Sequence, residues 1–150
     1  MKSLFEPETH QDILNRIEKL NENSQPKWGK MNVAQMLKHC QIPLEVALGK
    51  REMKGKPSFF TKMIFKLFKP MMYNDKPYKH NLGTAKEFVI TEPQVFETEK
   101  NNTVNLLSEF ASKKDKTDWS EHPIFGHFTT EQRGQMQYKH LDHHLTQFGI

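Results

Sequence analysis

Cysteine is almost missing from this 150-residue chain, with Cys40 the single example. A lone thiol excludes an intrachain disulfide and an all-cysteine metal site, so any metal must take other ligands; it also fits a reducing compartment. Long apolar runs are missing as well. No stretch approaches the ~20 residues that span a bilayer. The opening Met1-Lys2-Ser3-Leu4-Phe5-Glu6-Pro7-Glu8 lacks the apolar heart of a signal peptide, which gives a cytoplasmic location as the expectation. Internal repeats and low-complexity tracts are absent too. A strong excess of one charge is also lacking: the net charge is +4, and it is local. Residues 50–80 hold nine Lys/Arg against Glu52 and Asp75, and the remainder is slightly negative. Overall basicity therefore makes no case for nucleic acid, and only that segment calls for a partner.

What is present is enough to fold. The length suits one domain over residues 1–150. An aromatic share of 11% argues against disorder despite a mean hydropathy of −0.79. Histidine is abundant: there are eight, five of them (His122, His127, His140, His143 and His144) near the C-terminus.

Apolar spacing predicts four long helices. The first, over 8–22, carries Ile13, Ile17 and Leu20 after Thr9-x-x-Asp12, which resembles a capping box. The second, over 32–48, is capped by Asn32 and ends at Gly49, with Val33, Met36, Leu37, Cys40 and Leu44 on one face. The third, over 92–112, starts at Thr91-Glu92-Pro93-Gln94, and the fourth, over 129–147, is capped by Thr129 or Thr130. A long crossover joins the second helix to the third; it carries a short helix over 58–72 and an extended connector over 82–90. The fold class is therefore all-α, a four-helix bundle of unusual connectivity.

On the last helix, at about 100° per residue, His140 and His144 share the inward face with Gln137, whereas His143, Lys139 and Asp142 turn away. Two imidazoles at i and i+4 can approach one ion. His39, on the flank of the second helix's apolar arc, is the natural third ligand. Pro43, four residues on, cannot supply the amide that the His39 carbonyl would receive, so a kink is expected there. Spacing alone leaves the alternative open that these are core or surface histidines satisfied by neighbours. His122, before Pro123, reads as fixing a loop, His10 and His80 as surface residues, and Cys40 as buried packing rather than a nucleophile. Gln137 reads either as an orienting group in a catalytic site or as a buried amide bonded to the second helix.

Four segments together carry a resemblance: Trp28-Gly29-Lys30-Met31-Asn32-Val33-Ala34-Gln35-Met36-Leu37-Lys38-His39-Cys40; Glu87-Phe88-Val89-Ile90-Thr91; His122-Pro123-x-Phe125-Gly126; and Tyr138-Lys139-His140-Leu141-Asp142-His143-His144-Leu145-x-Gln147-Phe148-Gly149. The chain resembles bacterial DUF1569-type proteins, a domain of unknown function placed in the DinB/YfiT-like superfamily of metalloenzymes. That resemblance implies a DinB-like four-helix bundle with a long crossover between helices 2 and 3. It also implies a divalent metal, zinc or nickel foremost, held by His39, His140 and His144. Relatives in the superfamily include transferases and an isomerase that use low-molecular-weight thiols.

Three imidazoles leave one position of a tetrahedral ion open, so that water or a thiol bound there becomes a nucleophile near neutral pH. No carboxylate stands where a general base would be needed, which favours thiol transfer over hydrolysis. The expected partner is a small molecule, such as a low-molecular-weight thiol; a homodimer remains open. In 59–69 the lysines fill a narrow arc and apolar residues the rest, the pattern of a lid over the site or, alternatively, of a membrane-surface contact. Nucleic acid is not expected there, because the aromatics read as buried. A non-catalytic metal- or ligand-binding bundle is the remaining alternative.

Overall fold

A computed structural model describes residues 1–53 and 58–150; part of the basic segment, 54–57, lies outside the described residues. Among the described residues the chain is all-α, with five α-helices and no strand: α1 Pro7–Glu18, α2 Val33–Ala47, α3 Phe59–Phe68, α4 Phe96–Ala111 and α5 Thr130–Gln147. Of extended pairing only an isolated bridge remains, between His122 and Gly126. No helix among the described residues is long and apolar enough to cross a membrane.

The N-termini of α2 and α5 form as their sequences predict. Asn32 accepts from the Gln35 amide at 2.9 Å while the Gln35 side chain accepts from the Asn32 amide at 3.0 Å, and Thr129 and Gln132 repeat the arrangement. Two other starts differ. In α1 the helix opens at Pro7, and Thr9 donates its hydroxyl to Glu6 at 2.8 Å instead of capping. In α4 the helix begins at Phe96, four residues after the predicted start, because the Thr91 and Glu92 carbonyls are taken by the Gln35 side chain of α2. The short crossover helix also ends early. At Phe68 it tightens into a single 3-10 turn over Lys69–Met72, where Pro70 lacks an amide donor. A second 3-10 turn, Lys86–Phe88, interrupts the connector predicted as extended.

Apolar stripes bring the four long helices together. α2 packs most extensively on α4 and also on α5, and α1 touches both α4 and α5. Ile13 and Ile17 of α1, Leu37 and Leu44 of α2 and Leu107 and Phe110 of α4 are at most 1% exposed. Each such side chain removes enough apolar surface from water to contribute about 2 kcal/mol. Phe5 stacks on Phe110 at 4.8 Å between ring centroids, and the segment before α1 lies directly on α5. There Leu4 donates its amide to the Gly134 carbonyl at 3.2 Å, and a Cβ at Gly134 would meet Ser3 Oγ at 2.1 Å, so only glycine fits.

A polar seam sets the register of α2 against α4. Gln41 donates to the Glu99 carboxylate at 2.8 Å and to Thr103 Oγ1 at 3.2 Å, while Lys38 lies 3.6 Å from the same carboxylate. Gln41, Glu99 and Thr103 are buried and all three are paired, with Lys38 at the half-exposed edge.

Candidate metal centre

α2 continues through Pro43, and His39 is buried at 3% exposure, its ring beside those of His140 and His144 of α5. The one-turn spacing of His140 and His144 places both rings opposite it. The three histidines each offer a nitrogen, and these nitrogens lie within 4.8 Å of one another. His39 Nε2 and His140 Nε2 are 3.1 Å apart. Two ligands of a tetrahedral ion, each at ~2.0–2.1 Å, stand about 3.3 Å apart, so the spacing of that pair is close to what an ion requires.

Hydrogen bonds behind the rings select which nitrogens face one another. His39 Nδ1 donates to the Phe88 carbonyl at 2.8 Å, leaving Nε2 as a lone pair. His144 Nδ1 donates to Gln147 Oε1 at 2.9 Å, and Gln147 in turn donates Nε2 to the Trp28 carbonyl at 2.6 Å. This second chain needs Gly29. Its φ is +85°, and a Cβ there would stand 2.4 Å from Gln147 Nε2. His140 Nδ1, by contrast, is buried with no partner.

Burial keeps the cluster neutral. It lowers His39 against the opposing pull of the Phe88 carbonyl. It lowers His140 well below the ordinary value, helped by the neighbouring His144 and His39 rings. It brings His144 to about 3, assisted by His39 and resisted by Gln147. Neutral imidazoles converging within a few ångströms are the donor set a divalent cation takes. The three histidines are close enough to hold a metal ion.

The cluster opens onto a cavity of about 590 Å³, within the size of small-molecule sites. Its walls are mostly apolar and come from α2, the crossover and the loop before α5, with Val46, Phe65, Phe68, Met72, Leu82 and Phe125 among them. Gln137 takes the second of its predicted readings, a buried amide bonded to α2. It is 1% exposed, lines the cavity and donates Nε2 to the Pro43 carbonyl at 3.0 Å, while its Oε1 is buried without a partner. His143 stays out of the cluster but lines the cavity, its ring near Tyr78 and Trp28. Asp142 pairs with Arg16 at 2.7 Å, away from the cluster.

Other histidines behave more simply. His122 Nδ1 accepts from the Ile124 and Phe125 amides, so it does fix its loop; it also touches the cavity, and burial lowers it to about 4. His80 is exposed and stacks on Trp28 at 3.7 Å, whereas His10 is half-buried. Cys40 is 1% exposed against Met36 Sδ, and burial pushes its thiol above the ordinary range. Sequence reasoning missed Gln147, the Phe88 carbonyl and Arg133, which also lines the cavity. An amide one turn beyond a histidine was the available signal for Gln147.

The family model described as "Protein of unknown function (DUF1569)" matches residues 4–149. The chain belongs to the DUF1569 family. No curated protein and no solved structure matches it. For this family member, then, any reading of activity rests on the residues around the three histidines.

Proposed function

We propose that this protein is a metal-dependent enzyme of the DinB-like four-helix-bundle type, with His39, His140 and His144 holding a divalent ion, zinc or nickel. We assign it thiol-dependent transfer to a small molecule, with hydrolysis as the neighbouring alternative. The observation that carries the reading is the convergence of three neutral imidazoles, two of them oriented from behind by Phe88 and Gln147, at the floor of an apolar cavity. A divalent ion with three imidazole ligands supplies a Lewis acid that makes a thiol or water nucleophilic near neutral pH. The chain's own groups do the rest. The apolar walls exclude water and receive the body of the substrate. Gln137 Oε1 is held by the Pro43 bond and can accept one hydrogen bond from substrate. Among the described residues no carboxylate joins the three histidines, which favours thiol transfer because a bound thiol needs no general base.

Metal analysis of untagged protein, followed by screening with thiol and ester substrates, tests the reading. About one ion per chain and thiol-dependent turnover are expected. Stoichiometric metal with inertness towards every substrate would leave a non-catalytic metal-binding protein.

A second reading is favoured by α3. Phe65 and Phe68 line the cavity, yet Met63, Ile64 and Leu67 are 54%, 54% and 79% exposed beside Lys66. Such a face next to lysines suits the surface of an anionic membrane. Co-sedimentation with phosphatidylglycerol vesicles, lost in Leu67→Glu, is the expected result if α3 rests on lipid.

A further inference from the structure

The chain has three arginines, and two of them are ion-paired. Arg16 meets Asp142 at 2.7 Å and Asp12 at 4.0 Å, and Arg51 meets Glu45 at 3.3 Å. Arg133 is the most deeply buried charge of the three, at 2% exposure, and no carboxylate among the described residues lies within ion-pair distance of it. It donates Nη2 to the Ser120 carbonyl and lies over the Trp119 ring at 5.1 Å, but its Nε is buried without a partner. Glu121, also on the cavity wall, is exposed and does not reach it. A buried guanidinium with an unused donor and no counter-charge is costly, and such groups are found where a ligand supplies what is missing.

Its position says which ligand. Arg133, Gln137, His140 and His144 follow one another at intervals of three or four residues, so they form one stripe along α5, and all four line the same cavity. Arg133 is seven residues from His140, about 10 Å at 1.5 Å per residue. The stripe therefore offers a cationic donor, then the Gln137 amide, then the His140 and His144 imidazoles, with His39 of α2 opposite them. Among the described residues Arg133 is the one Lys or Arg on the cavity wall: Lys139 is turned to the Met71 carbonyl and to Asn74 Oδ1, at 2.7 Å from the latter. One guanidinium among apolar walls suits a monoanion with a planar pair of oxygens.

We infer that Arg133 anchors the carboxylate of a small amphiphilic substrate whose reactive end lies about 10 Å along α5, at the three histidines. The second half of that statement rests on the metal-centre reading; the anchor does not. The substrate carries a carboxylate, an apolar middle with a hydrogen-bond donor facing Gln137, and the reacting group beyond it.

The test uses metal-free full-length protein and two probes of nearly equal shape, 4-phenylbutyrate and its neutral amide. The carboxylate is expected to bind about ten-fold more tightly, as a charge-assisted bond to a desolvated guanidinium should allow, and to shift the Arg133 Nε–H resonance. Arg133→Gln is expected to bring the two probes within about two-fold of each other, with Arg133→Lys between. Equal binding of the probes to the native protein, an unmoved Nε–H resonance, no saturable carboxylate binding at tens of millimolar, or a preference that survives in folded Arg133→Gln would each overturn the anchor. If Arg133→Gln does not fold, the native comparison and the resonance decide. Zinc calorimetry on the same preparation separates the two ideas. Zinc binding without carboxylate preference removes the anchor alone, and the preference without zinc binding removes the metal centre alone.

Discussion

Helix α2 presents polar side chains to two neighbours, and the two seams are finished differently. Towards α4, Gln41, Glu99 and Thr103 use one another, and none of their buried side-chain polar atoms is without a partner. Towards α5 and the cavity, His140 Nδ1, Gln137 Oε1 and Arg133 Nε are buried and unpaired. Both seams pay the cost of desolvating polar groups, but only the first recovers it within the chain. The α4 seam is thus a device for register, and the α5 seam, with polar atoms the chain itself does not pair, is where we propose that metal and substrate bind.

Breaking each seam should give different symptoms. The largest effect is expected from His140→Ala: zinc binding measured by calorimetry should be lost, while helical content by circular dichroism stays within error of the native protein. Retained binding would remove His140 from the site. Next, Gln147→Leu should weaken zinc about 10- to 100-fold, because His144 loses the acceptor that fixes its tautomer. Gln41→Ala, on the other seam, should cost about 2 kcal/mol of unfolding free energy in urea, by removing the amide that donates to the buried Glu99 carboxylate, with zinc affinity unchanged. Loss of zinc affinity in Gln41→Ala would mean that the seams are not independent.

The last effect concerns pH. His122, held at about 4 by burial and by Arg133, binds a proton less readily in the folded chain than in the unfolded one. Its contribution to stability is complete above an ordinary value of about 6.5 and drains as the pH falls towards 4, with about 2 kcal/mol lost by pH 5. His122→Asn keeps an acceptor for the Ile124 and Phe125 amides, so its melting temperature should fall less steeply between pH 7 and 5.

Much of the site was legible because it depends on local spacing. The one-turn interval of His140 and His144 survives any packing of α5, and Asn32 and Thr129 cap with residues three positions away. What was not legible depends on distant chain. Thr91-Glu92-Pro93-Gln94 has the composition of a helix start, but Gln35, on another helix, claims its carbonyls. The orientation of His39 is set by a backbone oxygen at Phe88, which no side-chain pattern announces. Arg133 reads as an ordinary charged helix residue until the absence of an acidic neighbour is visible. The apolar arc of 59–69 reads as buried, whereas part of it faces water, since amphipathic spacing fixes a face but not what covers it.

Cys40 adjoins His39 in sequence, yet its sulfur is sealed in the packing of α2. A protein proposed to handle foreign thiols thus keeps its own thiol out of reach. Maleimides and other soft electrophiles can therefore serve as traps or reporters for a thiol co-substrate in the presence of the folded chain. Labelling of the protein itself would then be a readout of unfolding rather than of chemistry at the histidines.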